Sequence, residues 1–432
     1  MAIASIFQPL WQAAGFTAET PIQERVYQPL KQDESLVGLA PTGSGKTLAF
    51  GLPLLEKMVP GAGLQLLIVS PSQELAIQTR DVLRPYAKAA NLRLAGVTGS
   101  ANVKRQLEQL KEKPEVIVAT AGRLLELVQS RRLKLAGLQT LVIDEADEML
   151  REPGLTQVRE LAAAAPAEVQ LAFFSATDSP KFPELAQWFG QDVAIIDVRD
   201  IDHTQGQVTH YFVQTDNAHR EVWLRHLAHL DKFQALVFFN QNAVMMKVAR
   251  TLSHQSVKFA VLNRTDRSAT RANALNAFRK GKVTLLLVTD LAGRGLDIPH
   301  LPAVINYQTP TRAEAYIHRA GRTGRMGAAG MVITLGDDHD LRDLRKLVPQ
   351  YAIVRGYLND GKMSTVAPVA APAAPAAAKA ARPALVAKSA AVKPASRSAA
   401  QPAGQPAAAA VKKPHRKNRL RDRKNKGKRR KS

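Results

Sequence analysis

The chain predicts two α/β domains in tandem, each built on a parallel sheet covered on both faces, followed by a disordered basic tail. Three observations lead there. Short, wholly apolar runs alternate with helix-length mixed segments, as strands buried on both faces require. The runs fall into two sets, with the polar stretch Arg199–Gln207 between them. Beyond Leu358 the alternation stops, and Ala, Pro and basic residues take over.

The first set comprises Ser35–Leu39, Leu66–Val69, Val116–Ala119, Leu141–Ile143 and Leu171–Phe174; the second comprises Leu236–Phe239, Val283–Val288, Ala303–Ile305 and Met331–Thr334. This places a first domain over 1–199, a linker over 200–207, a second domain over 208–358 and a tail over 359–432. A chain of 432 residues has ample material for two cores. Residues 361–410 contain no aromatic, and their repeated prolines break the helix that alanine would favour, so an extended spacer is expected. From Gly361 onward 19 Lys and Arg face one acid, Asp422; of the net charge of +23, +18 therefore sits in the tail.

The chain has no cysteine, which excludes disulfides, Cys-ligated zinc and iron–sulfur clusters and fits a reducing compartment. The first basic residue is Arg25, so the start lacks the charged region of a signal peptide. No apolar run approaches the ~18 residues that span a bilayer. A cytoplasmic protein without membrane partners is expected.

Ala40–Thr47 (Ala-Pro-Thr-Gly-Ser-Gly-Lys-Thr) is a phosphate-binding loop, with Ala in place of the usual first Gly. It follows a strand candidate and precedes a helix-like stretch, Leu48–Met58, the context that the motif requires. Backbone amides of Thr42, Gly43, Ser44 and Gly45 would wrap phosphates, since glycine permits so close an approach. Lys46 would reach the β/γ-phosphates and the Thr47 hydroxyl would hold Mg²⁺. The alternative is a Gly-rich turn in an ordinary βα unit. Asp144 and Glu145 follow the Leu141–Ile143 run, at the strand end where ligands of open parallel sheets bind. Asp144 suits the Mg²⁺ shell and Glu145 the polarisation of an attacking water. N-capping of the next helix is the alternative, and Asp147 is assigned partly to it. Ser175-Ala176-Thr177 closes another run and by itself is only a turn former. His318–Arg325 packs three arginines and a histidine into eight residues, a pattern suited to stabilising γ-phosphate charge or to a solvated basic face.

Together these motifs resemble the DEAD-box RNA helicases, RNA-dependent ATPases of helicase superfamily 2, over about residues 7–355. Asp144-Glu145-Ala146-Asp147 is the name-giving motif, and Gly15-Phe16 … Pro21-Ile22-Gln23 is similar to the Q motif. The resemblance implies two RecA-like domains that close around ATP, Mg²⁺ and RNA. It further implies Phe16 stacked on adenine, Gln23 bonded to its edge, and Asp297, from Thr289–Asp297, at the ribose. Arg322 and Arg325 become arginine-finger candidates beside the catalytic Lys46, Asp144 and Glu145, while Ser175, Thr177 and His318 couple ATP state to RNA work. The implied RNA face comprises Gln73, Gly99, Thr120, Arg123, Thr289 and Arg294. Departures fall on that face. Gln73 stands where Arg is usual, Ala121 where Pro is usual and Ser100 where a second glycine is usual; in the second domain Asn263-Arg264 replaces His-Gly and Ser268 replaces Gln. Glu19 also replaces a Q-motif Pro. The expected activity is an ATP-dependent RNA helicase, similar to bacterial members acting in ribosome assembly, RNA turnover or cold growth, with ribosomal or RNA-decay assemblies as partners. The competing readings are an RNA-annealing protein working through its basic tail and a DNA translocase.

Overall fold

The computed structural model describes residues 3–99, 103–263, 266, 268–293, 296, 298, 300–359 and 361–367, excepting the side chains of Ser268 and Met326. The expected tail from 368 onward, Ser100, Arg264, Arg294 and Asp297 lie outside the described residues, as does the Ser268 side chain. The described residues all belong to one compact unit, Met1–Ala370. Among them no helix is long and apolar enough to cross a membrane.

In the first lobe, strands β1 (Leu36–Leu39), β2 (Leu66–Ser70), β3 (Leu94–Val97), β4 (Val116–Thr120), β5 (Thr140–Asp144), β6 (Gln170–Ser175) and β7 (Ala194–Asp197) form one parallel sheet. Its order is β3-β4-β2-β5-β6-β1-β7. The second lobe repeats the plan with β8 (Val208–Gln214), β9 (Ala235–Phe239), β10 (Phe259–Leu262), β11 (Leu285–Thr289), β12 (Ala303–Asn306), β13 (Gly330–Gly336) and β14 (Ile353–Arg355), ordered β10-β11-β9-β12-β13-β8-β14 and also parallel.

Each sheet separates two apolar cores. Along β6, Ala172 and Phe174 enter one core and Leu171 and Phe173 the other. Burying one such Leu or Phe stabilises the fold by ~1.5–3 kcal/mol, which is why the central strands are so largely apolar; where Thr334 interrupts β13, its hydroxyl accepts from Asn306 Nδ2 at 3.1 Å. Phe174 also dictates its neighbour. A Cβ on Gly38 of β1 would lie 2.6 Å from its ring, so only glycine lets the two strands pack.

The central strands match the apolar runs; five others do not. Four of these, β3, β7, β10 and β14, lie at sheet edges, and β8 is the neighbour of one. An edge strand has solvent along one side and needs no continuous apolar run, although β10 (Phe-Ala-Val-Leu) keeps one. β7 is largely exposed along its length. The expected boundary at 358 falls inside a small antiparallel hairpin, β15 (Tyr357–Asn359) with β16 (Lys362–Ser364), whose three-residue strands are too short to show a period.

Candidate functional site

Three adjacent strands deliver the first-lobe chemistry to one sheet end. β5 pairs with β6 (Asp144 opposite Phe174), and β6 with β1 (Ser175 opposite Leu39). The loop after β1, the acids after β5 and the hydroxyls after β6 therefore emerge side by side.

In the loop, Gly43 and Gly45 have φ of +87° and +80°, a left-handed backbone that other residues enter only with strain. The loop opens into the helix Lys46–Lys57, whose first turn carries Lys46 and Thr47. The Ser44 hydroxyl oxygen is buried without a hydrogen-bond partner. Lys46 Nζ donates to Ala40 O at 2.8 Å and Pro41 O at 2.9 Å. Burial pushes its pKa down, against the opposing pull of Glu145, Asp144 and Asp147. Gln23 buttresses the loop: its side-chain amide donates to Gly45 O at 3.3 Å and accepts from Thr20 N at 2.9 Å. Thr20 Oγ1 donates to Ser44 O at 2.8 Å. Phe16 is half-buried and its ring lies 4.8 Å from that of Trp11.

Asp144 is buried at the end of β5. Burial and the adjacent Glu145 push its carboxyl up to about 7, with Lys46 opposing. Glu145 adopts a left-handed conformation (φ 50°, ψ 54°) unusual for a side chain of its size, the kind of strain that collects at working sites. Asp147 was assigned partly to helix capping. It sits instead at the centre of a buried network, accepting from Ser175 Oγ at 2.8 Å and Thr177 Oγ1 at 2.6 Å. His318 Nε2, from the second lobe, lies 3.1 Å from Asp147 and 3.6 Å from Glu145. Burial alone would raise the Asp147 pKa, but His318 and the two hydroxyls hold it well below the carboxylate range. Burial likewise disfavours charge on His318, and Asp147 overcomes this to raise its pKa. Asp147 thus joins Ser175 and Thr177 to His318 of the other lobe, a place that helix capping does not describe; its position inside the four-residue acidic motif was the available signal.

The second lobe meets this surface with the helix Ala313–Ala320 and the loop after it. Arg319 is buried and bonded to Asp290, Asn306, Asn240 and the Gln308 carbonyl, which locks the helix to the sheet. The two finger candidates separate. Arg322 is buried, with Nε donating to His318 O at 3.1 Å and an Nη to Leu296 O at 3.2 Å. Arg325 lies over the loop, its Cγ 3.6 Å from where a Cβ on Gly43 would stand. Gly321 packs directly against Thr42. Two ion pairs also cross between the lobes, Arg151–Glu314 at 3.2 Å and Arg271–Glu74 at 2.6 Å.

A second cleft of about 790 Å³ lies between the lobes, lined by Gln73, Glu74, Thr120, Arg271 and Leu291, among others. Gln73 and Thr120, two of the expected RNA-face residues, line this cleft. Gly99 stands behind Gln73, 3.4 Å from its amide nitrogen to an added Cβ, and Thr289 is half-buried at the end of β11. Arg123 differs: it is buried, with Nε donating to Gln106 at 3.2 Å and an Nη paired with Glu126.

Residues 20–185 match the family model described as DEAD/DEAH box helicase, and residues 218–327 match the helicase conserved C-terminal domain. The chain is 34% identical over 350 residues to the probable ATP-dependent RNA helicase YfmL of Bacillus subtilis, covering 81% of this chain and 93% of that one. It is 32% identical over 348 residues to the DEAD-box ATP-dependent RNA helicase CshC of Bacillus cereus, covering 80% and 89%. Among solved structures it superposes on Saccharomyces cerevisiae Dbp5 bound to RNA and ADP BeF3 with a TM-score of 0.74 and 26% identity, covering 82% of this chain and 93% of that one.

Proposed function

The chain belongs to the DEAD-box ATP-dependent RNA helicases, and from that premise we propose how its residues divide the work. ATP places its phosphates in the loop Thr42–Thr47, where left-handed glycines turn backbone amides inward and the buried Ser44 hydroxyl lacks a partner. Phe16 stacks on the base, and Gln23 reaches it with the donor and acceptor capacity left over from its bonds to Gly45 and Thr20.

Mg²⁺ fits beside them. The donors are hard oxygens, the Thr47 hydroxyl and the Asp144 carboxylate, and the raised Asp144 pKa marks a place short of positive charge. When bound, the ion neutralises phosphate charge. Glu145 accepts the proton of the attacking water, and Lys46 and Arg325 stabilise the charge that develops as the terminal phosphoryl group leaves. Arg322 Nε and Arg325 Nε each donate to a backbone carbonyl four residues earlier, His318 O at 3.1 Å and Gly321 O at 2.9 Å, so it is the place of Arg325 over Gly43 that assigns it to the terminal phosphate.

RNA occupies the 790 Å³ cleft. Completing that cleft requires the same approach of the lobes that brings Arg325 over the P-loop, so RNA and ATP favour one closed state to the extent that each binds it better. The observation that carries the reading is Asp147, which ties Ser175 and Thr177 of one lobe to His318 of the other. Phosphate chemistry and lobe position share that residue. The test is ATP hydrolysis with and without single-stranded RNA, with DNA as control. Stimulation by RNA alone, with a drop of about 10²–10⁴-fold in Glu145→Gln, is expected. Hydrolysis indifferent to RNA would transfer the function to the basic tail.

A further inference from the structure

The backbone between the lobes touches both halves of the ATP site. Val198 donates its N–H to Leu39 O at 2.9 Å, one residue before the P-loop begins at Ala40. Asp202 N returns to Val198 O at 2.9 Å. The Asp202 carboxylate, 6% exposed, accepts from Thr204 N at 2.9 Å and Thr204 Oγ1 at 2.5 Å. From there the segment is laced to the loop that carries Arg325. Gly327 N donates to Thr204 O at 3.3 Å, Gly206 N to Gly324 O at 2.8 Å, and Gly330 N to Gln207 O at 2.9 Å. Two of these bonds fall on Gly324 and Gly327, so they bracket Arg325 on both sides.

The contact leaves no room. A Cβ on Gly206 would lie 2.0 Å from Ala328 O and 2.6 Å from the Gly327 carbonyl carbon. Those atoms are backbone and cannot swing away as a side chain could. Nothing in a flexible tether demands such closeness, and a loop that only connects two domains has no reason to fix its partner's backbone.

We propose that Asp202–Gln207 is an aiming strap: it holds the arginine-finger loop at a set distance from the P-loop strand, with Asp202 and Gly206 as positioning residues for hydrolysis. The proposal rests on Arg325 being the finger. Its physical content is that Arg325 is placed by backbone hydrogen bonds from the linker, and that the linker's other end is fixed to β1. A displacement of about 1 Å at a charge-stabilising group costs on the order of 10²-fold in rate.

The test uses the full chain with Gly206→Ala, Asp202→Ala, Asp202→Asn and Arg325→Ala, and reads single-turnover ATP hydrolysis at saturating RNA. RNA affinity with ADP–beryllium fluoride and the thermal midpoint are measured alongside. Gly206→Ala and Asp202→Ala are expected to slow hydrolysis tenfold or more, with RNA affinity near the parent and the midpoint lower in Gly206→Ala, where backbone must shift to admit the Cβ. Asp202→Asn keeps the accepting oxygen and should retain most of the rate. In a double-mutant cycle, Gly206→Ala should add nothing to Arg325→Ala, because a finger that is gone cannot be misaimed. Parent-like hydrolysis in both Gly206→Ala and Asp202→Ala, or a slowing that multiplies with Arg325→Ala, overturns the strap. Parent-like hydrolysis in Arg325→Ala overturns the finger assignment itself, a distinct failure. Should Gly206→Ala not fold, the Asp202 pair decides alone.

Discussion

Gly321→Ala is the sharpest probe of the closed arrangement. An added Cβ would stand 1.9 Å from Thr42 Oγ1, 2.5 Å from its Cβ and 2.6 Å from its Cγ2. Turning the Thr42 side chain relieves the hydroxyl but not its Cβ, so the lobes or the P-loop must move apart by about 1 Å. A shift of that size between a phosphate loop and its charge-stabilising partner lowers the rate on the order of 10²-fold. The substitution should leave the separate lobes intact. Gly321 has φ −67° and ψ 5°, which alanine adopts freely, and losing a glycine there stabilises by ~0.4–1 kcal/mol. The assay is RNA-stimulated ATP hydrolysis beside a thermal midpoint, with Thr42→Gly introduced second to remove the collision. The expected pattern is lost hydrolysis, an unchanged or raised midpoint, and partial recovery of RNA stimulation in the double variant. Hydrolysis within twofold of the parent in Gly321→Ala would refute the claim that this packing belongs to the working state.

Three other outcomes follow from the same geometry. Arg151→Glu should weaken RNA binding measured with a non-hydrolysable ATP analogue by up to about fivefold, as befits a one-third-exposed pair worth up to ~1 kcal/mol, and Glu314→Arg should restore it; no recovery in the swap would show that the pair does not help closure. His210 is pushed down from 6.5 to about 4 by burial, so between those values the unfolded chain takes up a proton that the folded one refuses. Stability should therefore fall as pH drops from 6.5 towards 4, by about 3 kcal/mol from this group, and denaturant midpoints for His210→Phe should show a shallower slope; equal slopes would remove His210 as the cause. Deleting 368–432, which carries +17 of charge and leaves the β15–β16 hairpin whole, should weaken RNA binding and flatten its salt dependence while basal ATP hydrolysis stays near the parent value, and an unchanged RNA affinity would dismiss the tail as an RNA anchor.

What was legible in the sequence was local or buried on both sides. β2, β4, β5 and β6 show as apolar runs because both of their faces meet a core. Lys46, Thr47, Asp144 and Glu145 show because a phosphate loop and an acidic strand end are contiguous in the chain. β3 is broken by Gly96 and β14 is only three residues long, so neither shows a run, whereas β7 (Ala-Ile-Ile-Asp) and β10 (Phe-Ala-Val-Leu) carry apolar residues that went unassigned. Arg123 is put on the RNA face by the family resemblance, and nothing nearby in the sequence announces that Gln106, 17 positions earlier, will accept from its Nε.

The choice between Arg322 and Arg325 shows the deeper limit. Both lie in one short loop with the same charge, and no property of either residue ranks them. Both donate Nε to a carbonyl four residues earlier, and their difference is one of place, made by partners that carry no side-chain signature: the backbone of Gly206 and Thr204 sets the loop that sends Arg325 over Gly43. Main-chain donors and acceptors are the same at every position, so a contact made by them leaves in the sequence only the requirement for a missing side chain. Gly206 and Gly321 are that trace. Each is a glycine with nothing to mark it until the opposing backbone or the opposing P-loop stands beside it, and each lies where one lobe must come within reach of the other for phosphate chemistry to begin.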